Sequence, residues 1–121
     1  MEIVYILATA YAGFRAAVLE SGRIASSGAP VVVHTGFWGC GAFGGNRVVM
    51  TTLQAIAGQM AGVDRIILHT SAGAFAGADA IVESRRTIEK DLAIDSPAVE
   101  LRSLIQRISA LGLSWAAGDG N

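Results

Sequence analysis

Five glycines between Gly36 and Gly45 give this chain its clearest chemical signal. The segment 36–46 reads GFWGCGAFGGN and lies between a predicted strand and a predicted helix. Glycine lets the backbone approach a phosphate without a Cβ in the way, and it lets successive N–H groups turn toward one point. The positive end of the following helix also favours an anion. The segment predicts a phosphate-binding loop, and a turn crowded by strand-to-helix packing is the alternative.

A literal G-x-G-x-x-G inside this loop, at Gly39, Gly41 and Gly44, raises the question of a dinucleotide site. In that fingerprint the first glycine follows the strand directly, and an acid ends the next strand. Here Gly39 comes four positions after Thr35, and Asp64 stands before the next strand instead of after it. An NAD(P)-binding Rossmann-type protein is therefore only the lower alternative.

Three side chains of the loop could add chemistry of their own. Trp38 belongs to a Trp-Gly-Cys-Gly run typical of an anchored turn, so we expect it to pack onto the core. For Phe43, ligand contact and packing are equally open. Cys40 stands near a helix N-terminus, which predicts a lowered thiol pKa, and a nucleophile role is the weaker hypothesis.

Two histidines, His34 and His69, stand near the ends of the two predicted strands and could face one another. A metal would need further ligands, and no Cys, Asp or Glu is suitably spaced. We therefore expect two hydrogen-bonded core histidines, and we predict neither a metal site nor a cofactor.

Composition narrows the classes of function. The chain has 121 residues, of which 52% are hydrophobic and 16% charged, and its net charge is −1. Because the chain has no run of basic residues, we do not expect it to bind nucleic acid. Its single cysteine cannot form an internal disulfide, which favours a reducing compartment such as the cytoplasm. The apolar run 3–14 follows Glu2, precedes the first basic residue, Arg15, and is too short to span a bilayer. We expect a cytoplasmic protein without a membrane segment.

Hydrophobic spacing predicts the elements that position the loop. The first helix is predicted to end at Gly22, and a strand near 30–35 follows it. The second helix is predicted to begin after the cap residue Asn46 and to end at Gly62. A second strand near 64–70 follows, and we expect both strands to be covered on both faces. The predicted inward positions are Ile3, Leu7, Ala10, Phe14 and Val18 on the first helix, and Val49, Leu53, Ile56 and Met60 on the second.

Two further helices complete the predicted order. Asp79 is the predicted cap of the third, which turns Ile81, Ile88 and Leu92 inward and leaves the charges of 83–91 in solvent. Ser96-Pro97 predicts the start of the fourth, and Gly112 its end. Two parallel strands do not make a self-sufficient sheet. We therefore expect the chain to be part of a larger fold, with a second chain as one way to complete the sheet.

The loop also closely resembles the diphosphate-binding loop of poly(ADP-ribose) glycohydrolases, written TGNWGCGAFGGD in that family. The matching residues are Thr35, Gly36 and the run 38–45. The resemblance covers most of the chain. It includes AYAGF at 10–14, LQA at 53–55 and the hydrophobic strand ending at Thr70.

The resemblance implies a macrodomain, an α/β fold that binds ADP-ribose or poly(ADP-ribose). For this chain it implies a partial, three-layer macrodomain-like fold: a short parallel core of the two strands flanked by about four helices, with residues 1–115 as the C-terminal half of the domain and 116–121 as a frayed tail. The implied activity is hydrolysis of ribose–ribose O-glycosidic bonds, in carbohydrate metabolism. The implied contacts to the diphosphate and distal ribose are Gly39, Cys40, Gly41, Ala42, Phe43 and Gly44, with Gly45 as support.

The chain departs from the family pattern at several positions. Phe37 replaces an asparagine and Asn46 an aspartate, and only Phe75 could supply the aromatic contact on the adenosine side. The family's catalytic motif, a triple-glycine turn followed by Gln-Glu-Glu, does not occur in the sequence. We expect every glutamate to lie on a helix away from the loop, and none is followed by a second acid: Glu2, Glu20, Glu83, Glu89 and Glu100. The sequence thus predicts no catalytic residue, and a non-catalytic ADP-ribose-binding module or a remnant is the alternative.

Overall fold

A computed structural model describes residues 3–25, 28–40, 44–70, 75–92 and 100–113 of the chain. The elements follow the predicted order, so the described chain is mixed α/β. They are helix α1 (Ile3–Ile24), strand β1 (Val32–Thr35), helix α2 (Arg47–Ala61), strand β2 (Arg65–Leu68), helix α3 (Phe75–Arg86) and helix α4 (Leu101–Ala110). A π-helical segment, Thr87–Asp91, continues α3. The chain divides into two compact units, one of Met1–Gly36 with Leu53–His69 and one of Phe37–Thr52 with Thr70–Asn121.

The two strands of the first unit pair in parallel through the predicted βαβ connection. Val32 lies opposite Arg65, and Thr35 opposite Leu68. Asp64 fixes the start of this ladder, because its Oδ2 accepts the N–H of Val31 at 2.7 Å while the Val31 carbonyl accepts the N–H of Arg65 at 3.2 Å. The residue that stands at the wrong end for a ribose contact therefore has a structural role.

The prediction that both faces of these strands are covered is wrong for the described chain. Exposed and half-buried residues alternate along β1, and Val32 is 41% exposed. The face that carries Ile66 packs against α2 and α1 so closely that a Cβ on Gly58 would collide with Ile66 and contact Phe14. Because side chains alternate across a strand, the face with Val32 and His34 points the other way and stays exposed.

Helix α1 buries Ile6, Leu7, Ala10 and Phe14, three of which are predicted positions, while Ile3 and Val18 are half-buried. The helix continues through Gly22, where a stop was predicted, to Ile24. Its 22 residues also correct the prediction of a run too short for a bilayer, since by length and composition alone α1 could cross one. Within the unit, Arg15 Nη1 donates to the carbonyl of Ala61 at 3.2 Å.

Helix α2 is buried on all sides over residues 49–54. Val49, Leu53 and Ile56 are buried as predicted, but Met60 is 49% exposed because Ala57 and Ala61 occupy the buried side of the last turns. The predicted end at Gly62 is confirmed. Gly62 has φ +83°, and the N–H groups of residues 62 and 63 donate to the carbonyls of residues 59 and 58, a Schellman motif.

Helix α3 and the π-helical segment after it, both in the second unit, present a stripe of small buried residues: Gly77, Ala80, Ser84 and Thr87. The predicted Asp79 cap is wrong, because the helix already begins at Phe75. The hydroxyls of Thr52 and Ser84 share a buried hydrogen bond of 2.9 Å. The charges of segment 83–91 are exposed as predicted, and they include the pairs Arg85–Glu89 and Arg86–Glu83 at 3.6 Å.

Helix α4 buries Leu104 and Ile108, and Gly112 follows it with φ +63°, which confirms the predicted end. Leu92 is fully buried as predicted, and its carbonyl accepts a hydrogen bond from Arg107 Nη1 at 2.8 Å. Ile81 and Ile88 are half-buried. The predicted helix start at 96–97 and the predicted tail at 116–121 lie outside the described residues.

Candidate functional site

The glycine loop begins where β1 ends and leads into α2, as the sequence predicts. Of the predicted contacts, Gly39, Cys40, Gly44 and Gly45 are described, whereas Gly41, Ala42 and Phe43 lie outside the described residues. Gly39 and Gly44 have φ values of +65° and +63°, a conformation that favours glycine. The Gly45 N–H donates to the Gly39 carbonyl at 2.7 Å. The two described ends of the loop are therefore held together by backbone geometry that other residues would strain.

Asn46 caps α2 as predicted. Its Oδ1 accepts the N–H groups of Val48 at 2.9 Å and Val49 at 3.1 Å. These are two of the free donors that the start of a helix would otherwise offer an anion. A ligand at this end of α2 must consequently take its backbone hydrogen bonds from other N–H groups, those of the loop among them, while the helix dipole still contributes positive potential.

Arg47, the first residue of α2, brings a positive charge that sequence reasoning missed. Its side chain is exposed, and its guanidinium carbon lies 5.7 Å from the centre of the Phe37 ring, within the range of a cation–π contact. Only its position in the sequence could have indicated this role. A basic residue that directly follows a glycine loop and a helix cap has its backbone next to both of them.

Phe37 packs where the related loop has an asparagine. A Cβ built on Gly77 of α3 would lie 3.2 Å from the Phe37 ring and 2.6 Å from Cγ2 of Thr70, so this glycine is required by close packing. The ring is thus close both to the Arg47 guanidinium and to Gly77 in the first turn of α3. Phe37 contributes apolar packing that joins the glycine loop to the segment after β2.

The prediction of a lowered thiol pKa at Cys40 is wrong. Burial raises the pKa of the Cys40 thiol above its ordinary value, and the nearby charge of Arg47 lowers it by less. The thiol also lies 3.5 Å from the carbonyl of Trp38, consistent with a weak hydrogen bond. This environment disfavours a nucleophile. Trp38 itself is 37% exposed, so it is not a fully buried anchor.

Gln54 holds the exit of β1, a role that the sequence did not reveal. This α2 side chain is fully buried. Its Oε1 accepts the hydroxyl of Thr35 at 2.8 Å, and its Nε2 donates to the carbonyl of Gly36 at 2.9 Å. A buried amide needs such partners, and these two partners are the last residue of β1 and the first glycine of the loop. Gln54 is therefore a positioning residue for the start of the loop.

His34 and His69 face one another, as the sequence suggested, but they are exposed and not core residues. Nδ1 of His34 lies 2.8 Å from Nε2 of His69. Among the residues that the structure describes, no group of three or more His, Cys, Asp or Glu side chains is placed to hold a metal ion.

The described glutamates are exposed, and three of them pair with arginines of the same helical segment: Glu20, Glu83 and Glu89. Glu100 flanks α4 and Glu2 lies outside the described residues. Exposed carboxylates on helix surfaces, three of them held by arginines, are not placed beside the glycine-loop residues as a general acid would need to be. Phe75, the predicted contact on the adenosine side, begins α3, and its side chain lies outside the description.

A comparison with known protein families gives a match. Residues 3–75 match the family described as "Poly (ADP-ribose) glycohydrolase (PARG), Macro domain fold". No curated protein and no solved structure matches the chain. The matched region runs from α1 through both strands to the start of α3, so it includes the whole glycine loop and covers more than half of the sequence. The chain belongs to the poly(ADP-ribose) glycohydrolase family.

Proposed function

We propose that this chain binds the diphosphate of ADP-ribose, free or within poly(ADP-ribose), through the glycine loop at 36–46. The observation that carries the proposal is the loop itself. It joins β1 to a capped helix, has two glycines with positive φ, and lies within a family match whose name specifies poly(ADP-ribose). Backbone N–H groups of such a loop can converge on phosphate oxygens.

Charge around the loop supports an anionic ligand. Arg47 lies at the junction of the loop and α2, and the dipole of α2 has its positive end there. Among the residues that the structure describes, the arginines that form ion pairs are Arg23, Arg85 and Arg86, so no described carboxylate neutralises the guanidinium of Arg47. Arg47 can therefore assist the backbone in neutralising a diphosphate.

Hydrolysis is a separate proposal. Cleavage of a ribose–ribose bond needs a carboxyl group that protonates the leaving oxygen and activates water. The sequence contains no Gln-Glu-Glu, and the described glutamates are exposed. We therefore propose binding as the activity of these residues, with hydrolysis arising only where another segment supplies the acid pair. We place the protein in the cytoplasm on the basis of its single cysteine.

Calorimetric titration of the full chain with ADP-ribose tests the binding proposal. We expect ADP-ribose to bind more tightly than AMP, which has one phosphate, and Phe43→Ala to weaken binding. Tyr5→Ala is the matched control, because Tyr5 is a 70% exposed aromatic residue on α1. A folded sample that shows no heat of binding at millimolar ADP-ribose would contradict the proposal. Incubation with poly(ADP-ribose) should release no ADP-ribose; release would show that an acid of this chain acts in hydrolysis.

A further inference from the structure

His34 and His69 lie on the same exposed face of the two-stranded sheet. His34 belongs to β1 and pairs with Ile67, and His69 follows Ile67 by two residues, just beyond the end of β2. Because side chains of a strand alternate, Ile67 and His69 point to the same face as His34. The backbone continues this alignment beyond β2, where the His69 N–H donates to the Thr35 carbonyl at 2.9 Å. The parallel register therefore brings the two imidazoles together at the carboxyl end of the sheet.

The two rings meet end to end. Their facing nitrogens are 2.8 Å apart, whereas their centroids are 5.1 Å apart and their planes differ by 25°. Since the nitrogens lie so much closer than the centroids, each ring points one nitrogen at the other. In neutral rings one of these nitrogens carries the hydrogen and the other accepts it.

We propose that His34 and His69 form a binding site for a divalent first-row transition ion, with Cu²⁺ and Ni²⁺ as the preferred ions. Imidazole nitrogens bind such ions at about 2.0 Å, so two that occupy adjacent corners of a square plane are roughly 2.8 Å apart. That spacing equals the observed distance between Nδ1 of His34 and Nε2 of His69. Both donors are thus already at chelating distance, one on β1 and the other just beyond the end of β2.

Binding requires a rearrangement of protons but no net release from two neutral rings. The imidazole that donates the hydrogen bond must free that nitrogen for the metal and carry its proton on the opposite nitrogen. Solvent can exchange this proton because both side chains are exposed. Each ring must also turn so that the two lone pairs converge on one point, a movement open to an exposed side chain.

The surroundings determine which ion suits the site. Among the described residues no third His, Cys, Asp or Glu joins the pair, so water fills the remaining positions. A closed tetrahedral zinc site needs four protein ligands, whereas tetragonal nitrogen–oxygen sites suit Cu²⁺ and Ni²⁺. This site is independent of the proposed ADP-ribose binding.

Calorimetric titration of the untagged full chain with Ni²⁺ tests the proposal, and the sequence contains only two histidines and one cysteine to compare. We expect one ion per chain. Because the second nitrogen binds intramolecularly, His34→Ala and His69→Ala should each lower the affinity on the order of 100-fold. Cys40→Ser should bind like the wild type. Equal binding by wild type and either histidine variant, or loss of binding in Cys40→Ser, would overturn the proposal.

Electron paramagnetic resonance with Cu²⁺ provides a readout that does not depend on the folding of the histidine variants. In Cys40→Ser, which removes the thiol that could reduce copper, we expect splitting from two imidazole nitrogens. Coupling to a single nitrogen, or the spectrum of free aqueous copper, would show that the pair is only a hydrogen bond.

Discussion

Replacement of Gln54 by alanine tests whether one buried amide fixes the start of the glycine loop. The side chain is fully buried on α2 and makes two hydrogen bonds, at 2.8 Å with Thr35 and at 2.9 Å with Gly36. Alanine removes both bonds and leaves the hydroxyl and the carbonyl without these partners. We expect the variant to be less stable and to hold the loop less firmly.

The size of the effect follows from burial. A lost hydrogen bond that leaves its partner unsatisfied costs about 1–3 kcal/mol. Because Thr35 and Gly36 are only half-buried, water can reach them and the lower end applies, about 1 kcal/mol for each bond. Loss of the packed side chain adds about 1–2 kcal/mol. The expected destabilisation is roughly 3–4 kcal/mol, a large part of the total stability of a small domain.

Urea unfolding of wild type, Gln54→Ala and Gln59→Ala measures this difference. Gln59 lies on the same helix but is exposed, so its replacement should change the free energy of unfolding by less than about 0.5 kcal/mol. The two variants share the same change in composition and differ in burial and hydrogen bonding. If both variants lose equally little stability, the Gln54 amide does not fix the loop.

Gln54→Glu separates hydrogen bonding from packing. The carboxylate can still accept the Thr35 hydroxyl, but only a protonated carboxyl can donate to the Gly36 carbonyl. Burial raises the pKa of this carboxyl in the folded state above its unfolded value. The variant should therefore approach wild-type stability at low pH and lose stability as the pH rises through the folded pKa. A pH-independent difference from wild type, measured by urea unfolding across this range, would refute the reasoning.

Three further outcomes can be measured on the same chain. Asn46→Ala should cost about 1 kcal/mol in urea unfolding by removing the α2 cap, and Asn46→Asp should cost little; equal losses would argue against capping. Gly77→Ala should lower the free energy of unfolding by about 1–3 kcal/mol, because the added Cβ collides with Thr70. Gly22→Ala has open space around the added Cβ and should raise the free energy of unfolding slightly. A change in the same direction for both variants would contradict the packing argument. Since burial raises the pKa of the Cys40 thiol, iodoacetamide should modify the folded chain more slowly at neutral pH than the urea-unfolded chain, with a rate that rises with pH; faster modification when folded would reverse this assignment.

Local signals predicted the elements and several of their ends. A β-branched run predicts a strand wherever it lies, and hydrophobic residues repeated at helical spacing predict a helix. Asn46 and Gly62 end α2 where the sequence placed them, because capping depends on residues within one turn. The prediction of Asp79 as a cap was wrong because α3 starts earlier, at Phe75. The first turn of α3 contains no acidic residue that would indicate this start.

The candidate binding site was predicted only in part, because local signals identify the loop but not the contacts between distant residues. The glycine loop could be recognised from its own residues, and its position between β1 and α2 followed from the elements on either side. Gln54 could not be assigned, because a polar residue on a buried helix face has no visible partner until Thr35 and Gly36 are brought to it. Arg47 and Phe37 likewise acquire their roles only by contact.

The sequence by itself determined the order of elements, the parallel βαβ unit and the loop that identifies the family, because each depends on neighbouring residues. Only the tertiary structure decided burial and long-range pairing. It gave Cys40 a raised thiol pKa through burial, left one face of the sheet exposed, and placed His34 and His69 2.8 Å apart by strand register. These properties depend on residues distant in the chain, and spacing along a sequence does not specify which of them meet.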